Sequence, residues 1–458
     1  MQAIVHLIHI MLSIFLGLMM FLFPTHIYGQ NFFNTYFSGK NGKTTIEFQN
    51  NNDKFKVEYE GDIRLANDDR DIVDISDGGF MEIRKTAFGS TRKVRIESNG
   101  RGYLNREYFV GRRRADYDSE GRRWLAEVLP EIVRSSALAA EDRVERYYSN
   151  GGASALLQEI QRLDGDYVKH VYCDLAVQKR LSISQMVQLL SLAGDEIHSD
   201  FYLSKLLKDN AEQFLSDPQT LEAYIDASHN ISSDFHKSEI MRAAINNGQL
   251  SAANVNRLLA MSQNIDSDYH KAEVLKLLLR SHPLTLNNVD QVLRAAEEID
   301  SDFHTDEVLS ALLTNQLDEQ ALRTLYNHVG NNVSSDFHKD QILSRAINQQ
   351  NICGTNLHGF VQALRAIDSD FHQSHVMVKV GKEVDLTDED LIDLLGAIDN
   401  IESNFHKTEV LKAFAPQVNA AGDRVYDAFL RAAKTVSSKH DYGQIMRSLG
   451  ERGRYQEE

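Results

Sequence analysis

The sequence contains few of the residues that crosslink or interrupt a fold. Its 458 residues include two cysteines, five prolines and one tryptophan. So few prolines favour helix, because proline disrupts helix interiors. Cys173 and Cys353 are more than five helical repeats apart in the sequence. With helix layers about 8–10 Å apart, we expect that they cannot form a disulfide within one chain, and that Cys173 is a core residue.

The sequence also lacks the short motifs that identify common catalytic sites. It has no His-Glu-x-x-His helix, no Gly-x-Ser-x-Gly turn, no phosphate-binding loop and no Cys-x-x-Cys pair. We therefore expect a protein that is not an enzyme and uses no cofactor. An enzyme with dispersed site residues is the remaining catalytic alternative.

Charged residues are absent from the first 29 positions, which are almost continuously apolar from Ala3 to Phe23. Pro24 and Gly29 follow this run and offer a break and a small residue for cleavage. We predict a secretory signal over residues 1–29, cleaved near Gly29, and a periplasmic or secreted protein. The apolar run is also long enough for an uncleaved membrane anchor, which is the alternative.

The formal charge of −17 is unevenly distributed. Residues 30–125 carry 18 of the 49 Lys and Arg and 16 of the 66 Asp and Glu, so the remainder of the chain is strongly acidic. The acidic surface of this remainder repels phosphate, so nucleic acid and anionic lipid headgroups are poor partners for it, and a basic protein, a peptide or a cation is favoured. We expect a membrane contact only if the N-terminal segment stays uncleaved.

Residues 30–115 have the pattern of a small antiparallel β domain. Apolar and polar residues alternate, and Asn-Gly and Gly-Gly pairs separate the alternating runs. We predict a meander with strands 79–86, 91–98 and 103–110. Beyond it, residues 116–163 have helical periodicity and are predicted to form the N-terminal cap of a repeat array.

A 34-residue period dominates the rest of the chain. An apolar residue recurs at Leu163, Ile197, Ile231, Ile265, Ile299, Val333, Ile367 and Ile401. Each repeat holds two amphipathic segments, which predicts a mostly α fold in which helix pairs stack as an α-α superhelix. We assign eight repeats to residues 164–435 and a degenerate C-terminal cap to residues 436–458.

Each repeat begins with an acidic or amide residue, Asn404 in the last repeat, that Ser usually precedes and an aromatic always follows. We assign structural caps of the repeats to Asp166, Asp200, Asp234, Asp268, Asp302, Asp336 and Asp370. Ser and Asp suit a helix start, where free N–H groups and the helix dipole favour oxygen atoms and negative charge. The aromatic that follows is expected to pack in the core between repeats.

Histidine recurs two positions after the acidic residue. These residues are His236, His270, His304, His338, His372 and His406. Imidazoles beside carboxylates are metal ligands, so a periplasmic cation-binding protein is one hypothesis. Histidines of neighbouring repeats, about 8–10 Å apart, are too widely spaced to bind one metal ion together. This spacing favours the alternative, in which each histidine packs locally.

Three stretches together resemble a known family. They are Asp74–Ile83, Trp124–Pro130 and the Ser-Asp-aromatic repeats. Their order resembles the extracytoplasmic region of some bacterial membrane metallopeptidases of the β-lactam sensor-transducer family, and of stand-alone secreted proteins. The chain lacks the peptidase domain and its zinc motif, so the resemblance implies a sensing or protein-binding role outside the cytoplasm and no proteolysis. Our first hypothesis is an exported, non-enzymatic binding scaffold.

Overall fold

The computed structural model describes residues 36–40, 43–50, 53–100, 102–282, 286–352 and 354–450. The predicted signal segment and Cys353 lie outside these ranges. The chain divides into two compact units, of which the first ends at Asp142 and the second begins at Arg143. Within the described ranges, no helix has the length and apolar character needed to cross a bilayer.

The alternating segments of the first unit form antiparallel strands. They are β1 (Tyr36–Lys40), β2 (Lys43–Asn50), β3 (Asp53–Glu60), β4 (Ile63–Leu65), β5 (Ile72–Ile75), β6 (Phe80–Ala87), β7 (Ser90–Ser98), β8 (Leu104–Val110) and β9 (Arg113–Ala115). The sheet order is β1-β2-β3-β6-β7-β8-β9, and β4 pairs with β5 separately. The predicted meander corresponds to β6, β7 and β8 and is confirmed.

One face of this sheet is covered by a helix. After a π-helical turn at Tyr117–Gly121, helix α1 spans Arg122–Ser135. Its buried residues share a core with alternate residues of the strands. The rings of Trp124 and Tyr108 pack together, with 5.7 Å between their centroids. The apolar residues at every second strand position and those on one face of α1 thus form one hydrophobic core.

The second unit is built from helix pairs. The first helices of successive pairs are Asp166–Val177 (α3), Asp200–Asp209 (α5), Asp234–Asn247 (α8), Asp268–Ser281 (α10), Asp302–Leu312 (α12), Asp336–Gln349 (α14), Asp370–Glu383 (α16) and Asn404–Ala420 (α18). The second helices are Ile183–Glu196 (α4), Pro218–Ser228 (α7), Ala252–Gln263 (α9), Leu286–Glu297 (α11), Glu319–Asn332 (α13), Gly354–Arg365 (α15), Asp388–Ala397 (α17) and Asp423–Ala433 (α19).

Three further helices complete this part of the chain. Helix α2 spans Ala140–Gln161 and is kinked at Gly152, whose φ of 66° is left-handed. A short helix, α6 (Ala211–Phe214), follows α5, and α20 (Lys439–Ser448) follows the last pair. The predicted break at the Gly151-Gly152 pair is confirmed.

First helices pack on first helices and second helices on second helices, so the pairs stack as two layers. The residue seven positions after the repeated Asp or Asn is fully buried in every pair, as Cys173, Leu207, Met241, Leu275, Leu309, Leu343, Met377 and Leu411. The predicted mostly α fold with stacked helix pairs and a small N-terminal β sheet is confirmed. Cys173 lies in this core, where burial raises the pKa of its thiol to about 12.

Candidate binding surface

The repeated motif of Ser, Asp or Asn, aromatic and His lies at the N-terminal end of the first helices α8, α10, α12, α14, α16 and α18, whereas α3 and α5 lack the His. Ser begins the helix, as the sequence predicts. The Ser301 hydroxyl accepts a hydrogen bond from the backbone N–H of His304, and Ser233, Ser267, Ser335 and Ser403 repeat this contact. These hydroxyls satisfy one of the free N–H groups that every helix start leaves.

The Asp that follows Ser contacts the next repeat. The carboxylate of Asp302 accepts hydrogen bonds from the backbone N–H groups of Ser334 at 3.1 Å and Ser335 at 2.8 Å. The same link to the following turn is made by Asp166, Asp200, Asp234, Asp268, Asp336 and Asp370. Each carboxylate is therefore occupied in joining neighbouring repeats.

The last pair shows that an amide can replace this carboxylate. Asn404 accepts a hydrogen bond from the Ser437 backbone N–H at 3.1 Å, and its own amide donates to the Ser437 hydroxyl at 3.0 Å. Asn thus keeps one backbone bond and gains a side-chain bond, so the junction is held in a different way.

A lysine three positions after the Asp or Asn joins the two helices of one repeat. Lys237 donates to the Asn264 carbonyl at 3.0 Å, and Lys339 donates to the Ala366 carbonyl at 2.6 Å. Both carbonyls lie just beyond the end of the second helix, where orphan carbonyls and the helix dipole favour a cation. Lys271 lies at the same position and reaches the Glu298 carboxylate at 2.9 Å.

Each repeated histidine is inserted between two aromatic rings. His236, His270, His304, His338, His372 and His406 lie 5.1–5.2 Å from the aromatic of their own repeat and 6.0–6.4 Å from that of the preceding repeat, always edge to face. Ring centroids at these separations are in the range of favourable aromatic contacts.

The hydrogen bonds of these histidines are set by the preceding repeat. His338 Nδ1 contacts Asp306 at 2.9 Å and His372 Nδ1 contacts Asp340 at 2.9 Å, while His270 and His406 contact serine hydroxyls at the equivalent position. Ala272 occupies that position before His304, and His304 contacts Glu307 of its own helix instead, at 3.1 Å. His236 Nδ1 is 3.8 Å from Glu239.

These contacts do not assemble a metal centre. Among the described residues, no group of three or more His, Cys, Asp or Glu is arranged to hold a metal ion. The densest group is His372 and His375 around the buried Asp340, at 2.8–3.0 Å. No observation here favours the cation-binding hypothesis.

The repeated aromatics lie at the surface, so the prediction that they pack in the core between repeats is wrong. Phe201, Phe235, Tyr269, Phe303, Phe337, Phe371 and Phe405 are 52–65% exposed. We call these seven residues the aromatic ladder. Tyr167, the equivalent residue of the first pair, is half-buried and packs on Tyr202 instead.

Helical phase explains the exposure. Residues one, five and eight positions after the Asp share one face of the helix. In α8 this face holds Phe235, Glu239 and the exposed Arg242, whereas the core face holds Ile240 and Met241. Charged neighbours at this phase are the sequence signal that could have placed the aromatic at the surface.

Carboxylates border the aromatic ladder on both sides. In the turns before the helices, Asp266, Asp300, Asp368 and Glu402 are exposed. One helical turn beyond the rings stand Glu239, Glu273, Glu307 and Glu409. Burial raises the pKa of Glu307, but hydrogen bonds from Lys276 and His304 outweigh burial and leave this pKa below its usual value. Glu307 is therefore an anion at neutral pH.

Comparisons with known proteins give no family. No protein-family model matches the chain, and no curated protein does. One similar solved structure comes from work on the computational design of self-assembling cyclic protein homooligomers; it is 12% identical and covers 70% of this chain and 90% of its own, with a TM-score of 0.10. So low a TM-score carries no argument about fold or function.

Proposed function

We propose that this protein is an exported, non-enzymatic binding scaffold, and that the aromatic ladder is the surface that receives an extracytoplasmic protein or peptide. The observation that carries the proposal is the exposure of seven large aromatic side chains at one repeated position. Single apolar residues are common on protein surfaces, but a continuous row of them is typical of an interaction site.

The other residues of the motif support this assignment because each has a structural contact. In the repeat that starts at Ser335, the serine caps the helix, Asp336 holds the next turn and Lys339 contacts the second helix. His338 fills the space between two rings. Phe337 packs on the neighbouring histidines and leaves half of its surface to solvent, so it is the least buried residue of the motif.

The spacing of the ladder favours an extended polypeptide. Packed helix layers are about 8–10 Å apart, which sets the distance between neighbouring rings. A polyproline II helix has three residues per turn and rises about 3.1 Å per residue, so every third side chain recurs after about 9 Å. A β-strand presents side chains on one face every two residues, about 6.6 Å, and matches the rings less well.

The charge along the ladder favours a basic partner. The exposed carboxylates of the turns attract Lys and Arg, and the faces of exposed Phe and Tyr rings also attract cations. The carboxylates of the other border already pair with lysines of this chain; they are Glu239, Glu273, Glu307 and Glu409. The expected ligand is therefore an extended segment with proline or another apolar residue at every third position and basic residues between. A sensing role for such binding agrees with the resemblance to sensor-transducer regions.

The test uses fluorescence anisotropy with labelled 18-residue peptides: repeats of Pro-Pro-Lys, the same composition in scrambled order, and repeats of Pro-Pro-Glu. The ladder variant combines Phe235→Ser, Tyr269→Ser, Phe303→Ser and Phe337→Ser. We expect the Pro-Pro-Lys peptide to bind the wild-type protein most tightly, and the ladder variant to bind it at least tenfold more weakly.

A control variant changes exposed apolar residues outside the ladder, with Val73→Ser, Tyr103→Ser and Ile183→Ser. It should bind the peptide as the wild type does. Circular dichroism verifies that both variants keep the helical fold. Equal affinity of the ladder variant, or equal binding of the Pro-Pro-Glu peptide, would refute the proposal.

A further inference from the structure

The β domain carries an exposed aromatic at the tip of a hairpin. Ala87 pairs with Ser90 across β6 and β7, which leaves Phe88 and Gly89 as a two-residue turn. Their φ angles are 47° and 77°, as in a type I′ turn. Glycine, asparagine and aspartate normally occupy the first of these positions, and a bulky residue with positive φ is an outlier.

Exposure to water also disfavours a phenylalanine at position 88. The Phe88 side chain is 90% exposed, so it has almost no packing contact with the described residues of its own unit. Neither backbone conformation nor burial explains a phenylalanine here. A side chain that is unfavourable on both counts is best explained by a contact made outside the chain.

A groove with a positive lining adjoins this tip. It has a volume of about 1010 Å³ and includes Phe88, Arg84, Lys93, Phe109 and Arg112, and none of its described lining residues is a carboxylate. The Lys93 ammonium lies 4.6 Å from the centre of the Phe109 ring, in cation–π contact. The exposed apolar surface continues at Val110.

Basic side chains outnumber carboxylates along β6, β7 and the turn that follows β8. Glu82 is shared by three cations, with Arg84 at 3.0 Å, Lys93 at 3.4 Å and Arg95 at 3.3 Å. Arg112 and Arg113 are exposed, and among the described residues no carboxylate forms an ion pair with either. Arg95 also pairs with Glu97 at 2.6 Å, so two carboxylates face five cations and the surface around Phe88 is positive.

We propose that this hairpin tip docks on an anionic phospholipid surface, with the Phe88 ring entering the interface and the arginines contacting lipid phosphates. Aromatic rings favour the membrane–water interface, and basic residues beside them bind anionic headgroups. A soluble anion would need the cations alone and leaves the protruding ring unexplained. This inference concerns the first unit and does not rest on the proposed function of the aromatic ladder.

The experiment measures binding of the full chain to vesicles of equal phosphatidylglycerol and phosphatidylcholine, with pure phosphatidylcholine vesicles for comparison. Phe88→Ser should lower the partition coefficient at least fivefold, and Arg112→Gln should lower it about fivefold. Tyr103→Ser is the matched control, because Tyr103 is exposed in the same unit but lies outside the groove. Residues 1–29 are common to all variants, so their contribution cancels in these ratios.

A Phe88→Trp variant reports on insertion. Its fluorescence should be quenched by brominated lipid in anionic vesicles, whereas a Tyr103→Trp variant should not be quenched; the native Trp124 is buried in the core. Vesicle binding that Phe88→Ser and Arg112→Gln leave unchanged would overturn the proposal. Tight binding of soluble polyphosphate without vesicle binding would overturn it too, in favour of a free anion.

Discussion

Removing one inter-repeat carboxylate should destabilise the stack measurably. Asp302 accepts two hydrogen bonds from consecutive backbone N–H groups of the next turn, at 3.1 and 2.8 Å. Hydrogen bonds to a charged group contribute about 1.5–3 kcal/mol each. Because Asp302 is only partly buried and water can reach the freed N–H groups, we assign about 1 kcal/mol to each of the two bonds, which is below this range. Asp302→Ala should lower the free energy of unfolding by about 2 kcal/mol.

The substitution Asp302→Asn provides an internal standard. Asn404 already holds the last junction with one backbone hydrogen bond and one bond to a serine hydroxyl. Ser334 can offer a hydroxyl to an asparagine at position 302 as Ser437 does to Asn404. Asp302→Asn should therefore cost about 1 kcal/mol or less, which is the contribution of one neutral hydrogen bond.

Urea denaturation followed by circular dichroism measures these free energies. Hydrogen exchange of the peptide that contains Ser334 and Ser335 tests whether the loss is local, and its amides should exchange faster in Asp302→Ala. Asp300→Ala is the control, because Asp300 is exposed in the same turn; it should change stability by less than about 0.5 kcal/mol. If Asp302→Ala and Asp300→Ala have equal effects, the carboxylate does not join the repeats.

Two further outcomes follow from buried groups in the second unit. Arg143 and Glu159 form a fully buried ion pair at 2.7 Å. In urea denaturation, Arg143→Ala should lower the free energy of unfolding by about 3–5 kcal/mol, because it leaves the buried charge of Glu159. The double change Arg143→Met with Glu159→Met should leave the free energy of unfolding nearly unchanged. A double variant as unstable as Arg143→Ala would contradict this. Burial raises the pKa of Cys173 to about 12. Its thiol should therefore resist iodoacetamide at pH 8 until urea unfolds the chain, and mass spectrometry of the Cys173 peptide measures the labelling. Rapid labelling of the folded protein would contradict this prediction, because it would show that the thiol is accessible.

The repeat architecture was predictable because its causes are local in sequence. An apolar residue every 34 positions and Ser before Asp mark where each first helix starts, and the structure has its helices there. The partner of Asp302 was not predictable in the same way. Its carboxylate reaches a turn 32 and 33 residues later, and only the stacking of two repeats brings that turn within hydrogen-bonding distance.

The surface residues are harder to predict because a recurring apolar residue is typical both of a core and of an exposed row. An aromatic at a fixed repeat position suits a core, yet Phe235 shares a helix face with Glu239 and Arg242 and is half exposed. In the β domain, alternation predicted β6 and β7, but a Phe-Gly turn gives no periodic signal. Its unusual character depends on the backbone angle of Phe88, which the turn geometry imposes.

Variation among the repeats separates the residues that hold the fold from the aromatic ladder. The lysine position is occupied by Leu203, Thr305 and Gln373 in three repeats, and the aspartate position by Asn404 in the last. The aromatic position admits only Phe and Tyr, although it is the most exposed of the motif. Tyr269 adds a hydroxyl to the ring, so what the ladder positions have in common is an exposed aromatic ring. The contacts between the rings and the histidines account for part of this restriction, and we propose that recognition of a partner by the exposed rings accounts for the rest.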